Sequence, residues 1–467
     1  MDVSLQFLGA AHCVTGSKYL LTLDSGPASK HQVMVDCGLF QGLKELRLRN
    51  REPLPLTPAD VAIVILTHAH IDHSGYLPKL VRDGFRGRIF CTEATADLLS
   101  IMLLDSAKLQ EEEAAFANKK GYSKHHPAEA LYTKQDVERM LPLVESVAYD
   151  APLVLLDGAL TLTFREAGHI LGSASAEVAV QGASQRKLLV FSGDLGRYDN
   201  PVMHDPAPVT QADVLLVEST YGDRNVRVDD PEAEVARVVN EALDRGGVLL
   251  IAAFAVGRTQ TLLYYLKKLI KEGRVPPVPV YVDSPMGIRV SDLYPRHPTA
   301  HRLGHGNVFD FPGVRFVTES RESKGLNQLS GRAIIISSSG MCTGGRIVHH
   351  LFHRLPRPDD TLLLIGYQAE GTRGRRLQEG ETEIKMFGEL VPVRCHVEHL
   401  GGLSAHADRS ELLRWLGNFE QPPKHTFIVH GEPTAAEALA QTLRQEQGWP
   451  NVVVPNYLDT VVLFEGI

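Results

Sequence analysis

Cysteine is scarce and scattered: the 467 residues include five, Cys13, Cys37, Cys91, Cys342 and Cys395, with no CxxC pair among them. An odd number at such separations argues against a disulfide framework and against a thiolate zinc site, and fits reduced thiols. No apolar stretch approaches the roughly 18 residues of a membrane span. The chain enters a strand pattern at once, without a basic, apolar, small-residue leader, so the expected location is cytoplasmic, with no membrane partner. Cations are the minority, 48 Lys and Arg against 56 Asp and Glu, for a formal net charge of −8. A field of that sign repels phosphate, so indiscriminate nucleic-acid binding is disfavoured and any nucleic acid must be held by local cations. The 43% hydrophobic and 22% charged content is ordinary for a globular chain, and the length accommodates two or three domains.

The densest chemistry lies at residues 66–75, Leu-Thr-His-Ala-His-Ile-Asp-His-Ser-Gly. The β-branched run before it, Val61 to Leu66, reads as a buried strand. His68 and His70, two apart at its end, point the same way and can share one cation. Asp72 and His73, in the following turn, can be aimed at a second. Mixed imidazole and carboxylate ligands suit zinc, with manganese or iron as alternatives. Other strands end in the same manner. Val3, Leu5 and Phe7 alternate as an edge strand before a glycine-containing loop, a second strand runs through Tyr19 to Leu23, and a third from Gln32 ends at Asp36 and Gly38. Helical stretches over Ala94–Lys120 and Lys134–Leu141 follow. Strands at Leu153–Leu156 and Leu160–Phe164 then lead to His169, and the run from Lys187 ends at Gly193-Asp194. Asp36 or His169 alone would be an ordinary loop residue; together, these strand ends deliver a ligand set.

The spaced set Asp36, His68-Ala-His70-Ile-Asp72-His73, His169 and Asp194 resembles, in order and in strand-end placement, the signature of the metallo-β-lactamase fold. Glu218-Ser-Thr-Tyr-Gly-Asp, Ser404-Ala-His406-Ala-Asp408 and His430-Gly-Glu432 resemble the three further motifs of the β-CASP branch, the RNA-processing nucleases related to the cleavage and polyadenylation endonuclease. The resemblance covers almost the whole chain. It implies an α/β protein: a metallo-β-lactamase αββα sandwich over residues 1–220 and 396–467, with an inserted β-CASP α/β domain at 221–395. It implies two zinc ions per chain, one on His68, His70 and His169, the other on Asp72, His73 and His430, with Asp194 bridging and Asp36 orienting the cluster from behind. Glu218 and His406 would pair as an acid/base couple near the scissile phosphate, and Asp72 would hold the attacking hydroxide toward phosphorus. The substrate would be RNA, the products a 5′-phosphate and a 3′-hydroxyl.

The inserted segment alternates strand and helix as a parallel sheet does: a helix over Pro231–Leu243, a strand at Gly247–Ala253, a helix from Arg258 through Leu269, and strands at Val278–Asp283 and Ala333–Ser337. Arg258 near a helix start suits phosphate. The loop Ser337-Ser338-Ser339-Gly340-Met-Cys-Thr343-Gly-Gly-Arg346 offers hydroxyls and close backbone approach, and Arg373, Arg375 and Arg376 cluster on an acidic chain. All are expected to contact the RNA backbone, against the blander readings of a turn and a solvated patch. Stacking-aromatic, KH and zinc-finger patterns are absent. A DNA nuclease of the same branch would typically lack the histidine at His406, and a non-catalytic RNA-binding subunit would have lost ligands. Because the chain stops soon after a strand read as Val452 to Phe464, without the long extension of the exonucleolytic relatives, endonuclease action is favoured over 5′-exonuclease action. A homodimer and the role of His399 stay open.

Overall fold

Short runs of β-branched residues and leucine, set between glycines and prolines, build strands along the whole chain. The computed structural model describes residues 1–26, 29–120, 127–226, 230–306 and 308–467 and gathers these strands into three large sheets. Two units result. One comprises residues 1–200, 204–225 and 406–467, the other residues 201–203 and 226–405.

The first unit holds two seven-stranded sheets. One runs in the order Thr460–Phe464, Asp2–Phe7, Lys18–Asp24, Lys30–Cys37, Val61–Ile65, Arg88–Cys91, Val144–Ser146. The other runs Val452–Val453, His425–Val429, Val214–Glu218, Arg186–Phe191, Ala174–Gln181, Leu160–Glu166, Leu153–Leu155. Alternation along the strands turns one face of each sheet inward. Val3, Leu5 and Phe7 thereby share one core with Leu162, Phe164, Val178, Leu189 and Phe191, each such side chain contributing about 1.5–3 kcal/mol by leaving water. Outside the second sheet, Leu412, Trp415 and Leu439 of the helices Arg409–Leu416 and Pro433–Gln441 pack on Val190, Leu215 and Ile428. The 28-residue helix Glu93–Lys120 lies beside the strand Val144–Ser146 of the first sheet. This is the αββα sandwich.

Two expectations change here. Asp2–Phe7 is not an edge strand, because Thr460–Phe464 pairs antiparallel along it. The expected strand from Val452 to Phe464 is two strands in different sheets. Between them Pro455 has no N–H to offer a ladder, and Asn456 N donates to Asp459 Oδ2 at 2.8 Å in a turn.

The second unit is a six-stranded parallel sheet, ordered Val314–Phe316, Val280–Asp283, Ala333–Ser337, Val248–Ala252, Thr361–Ile365, His396–Leu400. Its central strands are buried at every position, as apolar runs covered on both faces require. The helix Pro231–Asp244 starts where the Asp230 side chain accepts from Ala233 N at 2.9 Å, and Arg258–Lys271 follows the next strand. His396–Leu400 belongs to this sheet, paired with Thr361–Ile365. The first unit therefore resumes at His406 rather than at 396, because backbone pairing holds the strand ahead of the histidine motif. Among the described residues, no helix is long and apolar enough to cross a membrane.

Candidate metal centre

In the first unit the strands Leu160–Glu166, Arg186–Phe191, Val214–Glu218 and His425–Val429 run in one direction, and Lys30–Cys37 runs parallel to Val61–Ile65. Their carboxyl ends bring together His169, Asp194, Glu218, His430, Asp36 and the segment 68–73. After Val61–Ile65 the chain enters the short helix Ile71–Ser74 with His70 at its N-cap, which sets Asp72 and His73 in its first turn. Gly193, at φ 56°, precedes Asp194; a Cβ there would lie 2.9 Å from both Ala174 O and Thr67 Cβ, so only glycine permits the approach.

Four ligand atoms converge in the first group. His68 Nε2 and His169 Nε2 each lie 3.2 Å from His70 Nδ1, and 3.5 and 3.6 Å from Asp194 Oδ2. Donors held 2.0–2.2 Å from a tetrahedral zinc ion stand about 3.3–3.5 Å apart, so this cage has the dimensions that the ion requires. Asp72, His73 and His430 form a second group, its ligand atoms all within 4.8 Å of one another. Asp194 turns its other oxygen this way: Oδ1 is 3.2 Å from His73 Nε2 and 3.7 Å from His430 Nδ1. His430 Nε2 is 3.5 Å from Asp72 Oδ2.

The side chains behind the cluster select its tautomers. Asp36 accepts from Thr67 N at 2.8 Å and from Thr67 Oγ1 at 2.9 Å, and His73 Nδ1 donates to Asp36 Oδ2 at 2.8 Å. His68 Nδ1 donates to Thr67 Oγ1 at 3.1 Å. Both rings thus present Nε2 to the centre, the arrangement in which an outer hydrogen bond fixes a metal-binding imidazole. Burial pushes His68 well down and His70 to about 4, keeping both neutral. Burial would raise the Asp194 carboxyl, but the surrounding His430, His73, His68 and His406 outweigh it and hold it well below the carboxylate range. Burial would likewise lower His73, but Asp194 and Asp36 carry it well above the ordinary histidine value. Imidazoles around ionised carboxylates are the donor set of a divalent cation.

Beside the cluster, Glu218 is 1% exposed. Its Oε1 accepts from Leu195 N at 2.8 Å and from His406 Nδ1 at 3.1 Å, and its Oε2 from Thr220 N at 3.2 Å. His406 keeps Asp194 Oδ2 at 3.9 Å and its ring 4.4 Å from that of His169. Burial lowers its pKa, yet Glu218 and Asp194 together carry it above the ordinary histidine value. Ala407 N donates to Leu195 O at 2.8 Å, and Asp408 caps the helix that follows, so the backbone after His406 is tied down.

Three site residues escape the motif reading: Thr67, Thr220, whose Oγ1 lies 3.2 Å from His430 Nδ1, and Ser17, whose Oγ lies 3.3 Å from His73 Nε2. Thr67 and Thr220 each stand inside a ligand-bearing motif; Ser17 has no signal in the sequence.

The expected RNA contacts of the second unit fare differently. Arg258 is buried, its guanidinium donating to Leu403 O. Ser337 is fully buried, its hydroxyl donating to Asp283 O at 3.0 Å. Arg346 clamps Asp283 Oδ1 at 2.6 Å and the carbonyls of Val317 and Thr318. Arg373 donates to Cys342 O at 3.0 Å, Arg375 pairs with Glu379 at 2.6 Å and Arg376 with Glu381 at 2.8 Å. The Gly340 carbonyl accepts from Gln368 Nε2 at 3.1 Å. These groups brace the loop from within, which corrects the expectation that Arg258 and Ser337 lie on a binding surface. Ser338, Ser339 and Thr343 stay at least partly exposed. His399 donates from Nε2 to Gly366 O at 2.9 Å, linking neighbouring strand ends.

A buried imidazole and carboxylate cluster at the strand ends of an αββα sandwich defines a metal-dependent hydrolase. Family models match over three stretches: a β-lactamase superfamily domain at residues 31–245, a β-CASP domain at 259–377 and a Zn-dependent metallo-hydrolase RNA specificity domain at 390–455. Ribonuclease TTHA0252 of Thermus thermophilus is 39% identical over 443 residues, covering 93% of this chain and 94% of that protein. The transcription termination factor FttA of Methanocaldococcus jannaschii is 30% identical, covering 95% of this chain and 69% of its own. A crystal structure of a protein of unknown function from Enterococcus faecalis V583 shares the fold, with a TM-score of 0.54 at 12% identity, over 99% of this chain and 100% of that one. The chain belongs to the β-CASP family of metallo-β-lactamase-fold RNA nucleases.

Proposed function

We propose that this chain hydrolyses RNA phosphodiester bonds with two zinc ions, by internal cleavage that leaves a 5′-phosphate and a 3′-hydroxyl. The observation that carries the reading is the Glu218–His406 pair, held beside the bridging carboxylate Asp194. A thiolate leaves a thioester without a proton; a departing ribose oxygen needs one, and this pair is placed to supply it.

His68, His70 and His169 would hold one ion and Asp72, His73 and His430 the other, with Asp194 between them. When bound, the ions supply Lewis acidity, lowering the pKa of water and relieving charge on phosphate oxygens. The carboxylate of Asp72 accepts a hydrogen bond from the attacking water and orients its oxygen toward phosphorus. As the new P–O bond forms and the bond to O3′ breaks, His406 Nε2 gives its proton to O3′, and the proton that the water loses passes by way of Asp72 to solvent, from which His406 is reprotonated. Glu218, accepting from His406 Nδ1, keeps that ring turned to the reaction and stabilises its charged form. In the loop after Ala333–Ser337, the hydroxyls of Ser338, Ser339 and Thr343 are at least partly exposed and available to phosphate. The five free cysteines suit the reducing cytoplasm.

Digestion of RNA labelled at either end, with and without a 5′-phosphate, tests this reading. Internal fragments whose pattern is indifferent to the 5′ end are expected, each carrying a 5′-phosphate. Release of mononucleotides from the 5′ end would make the enzyme a 5′-exonuclease; RNA left wholly intact would remove the catalytic reading.

A further inference from the structure

Four cations fall within eight positions at Lys44-Glu-Leu-Arg47-Leu-Arg49-Asn-Arg51, outside the motifs that supply the metal cluster. They lie on the short helix Lys44–Arg49 and the turn after it, with Lys44, Arg47 and Arg51 exposed and Arg49 half-buried. Glu45 and Glu52 leave the segment still positive on a chain whose net charge is −8. Among the described residues, Lys44, Arg47 and Arg49 close no ion pair, whereas Arg375 and Arg376 of the second unit are each matched by a glutamate. Arg51 donates to Glu129 O at 2.7 Å. Arg49 is fixed without a carboxylate: its guanidinium carbon stands 4.2 Å over the Tyr457 ring and 5.6 Å from that of Phe40.

The segment is tied to the metal cluster by backbone. Buried Asn50 accepts from Phe40 N at 2.9 Å and donates to Phe40 O at 2.8 Å. Leu39 N donates to Ile71 O at 2.9 Å. Gly38 passes so near that a Cβ on it would lie 1.6 Å from Asp72 O. Phe40, four residues beyond Asp36, is at most about 14 Å from it along the chain. The stretch that passes Gly38 against the Asp72 backbone therefore holds the end of the cationic helix in place. Phosphate is the partner that such a cluster fits: Lys44, Arg47 and Arg49 close no ion pair among the described residues, Arg49 is preorganised by its aromatic neighbours, and the segment is held through Phe40 to the chain that leads out of Asp36.

We propose that Lys44 and Arg47, with Arg49 behind them, form a phosphate-binding track on the metal-bearing unit that holds the RNA backbone beside the scissile bond. The inference rests on the proposal that RNA is the substrate. It moves the electrostatic grip from the arginine-rich loop of the second unit, where Arg375 and Arg376 are paired with glutamates, to the helix tied through Asn50 and Phe40 to the chain after Asp36.

The test measures KM and kcat for cleavage of a long RNA at several salt concentrations, for the wild type and for Lys44→Gln/Arg47→Gln. Both side chains are exposed, so the substitutions leave the core intact. The double variant is expected to raise KM on the order of tenfold at low salt and retain kcat. Its plot of log KM against log salt should flatten by about 1.4, since each single-strand phosphate left without its cation takes about 0.7 from the slope. Lys44→Arg/Arg47→Lys should restore the wild-type slope. An unchanged KM and slope would return the segment to an ordinary solvated face, and a fall in kcat with KM unchanged would make it a brace for the metal ligands; either result overturns the track. A wild type that leaves RNA intact refutes the ribonuclease reading itself, a result distinct from the other two.

Discussion

His406→Ala is expected to keep all of its metal and lose phosphodiester cleavage by on the order of 100- to 10,000-fold, the range for removing a general acid. The geometry behind the expectation is that His406 Nδ1 is engaged by Glu218 Oε1 at 3.1 Å, while its nearest approach to the bridging Asp194 is 3.9 Å. A substrate with a far better leaving group needs no proton, so the same variant should recover substantially on an activated aryl phosphodiester. Glu218→Gln should show a milder form of the same loss. His430→Ala should behave otherwise, because His430 reaches Asp72 and Asp194 and its removal opens the second ligand group: metal is lost and neither substrate is cleaved. Metal content and both rates, measured for each variant, decide between the roles. Metal loss in His406→Ala, or equal losses on the two substrates, would refute the acid role.

Asp72→Asn is expected to reduce RNA cleavage on the order of 100- to 10,000-fold or more while RNA binding stays measurable. Asp72 sits in the first turn of Ile71–Ser74 with its carboxylate 3.5 Å from His430 Nε2, so the change removes the proposed ligand and anchor for the attacking water. It removes none of the cations assigned to the RNA backbone. Gel-shift or anisotropy binding beside a cleavage assay separates the two effects, and wild-type cleavage by the variant would sink the mechanism.

The site is legible where chemistry is written locally. His68, His70, Asp72 and His73 fall within six positions, and a strand ending just before them fixes where they point. Asp36, His169, Asp194, Glu218 and His430 are far apart in sequence and come together because their strands share a direction, a property of topology that no single motif carries. Thr67 gives no sign of its role, since a threonine before a histidine has no pattern of its own until the Asp36 carboxylate meets it in the fold. The arginine-rich loop misleads for the opposite reason. Its run looks like a grip, yet Glu379 stands four residues after Arg375, a spacing at which a helical turn pairs opposite charges, and Glu381, past the end of the helix, folds back on Arg376. The cations of Lys44–Arg51 are as visible in the sequence as those of the loop, but their freedom from carboxylates and the tie from Asn50 to Phe40 appear only in the fold. The inserted unit extends past the expected limit at His396 because pairing with Thr361–Ile365, and not composition, decides which sheet that strand joins.

Elemental analysis of the metal-replete protein tests the central claim most directly. Asp194 turns Oδ2 to His68 and His169 and Oδ1 to His73 and His430, and the account predicts two equivalents of transition metal per chain, with zinc preferred. One equivalent or fewer in fully loaded protein would contradict it.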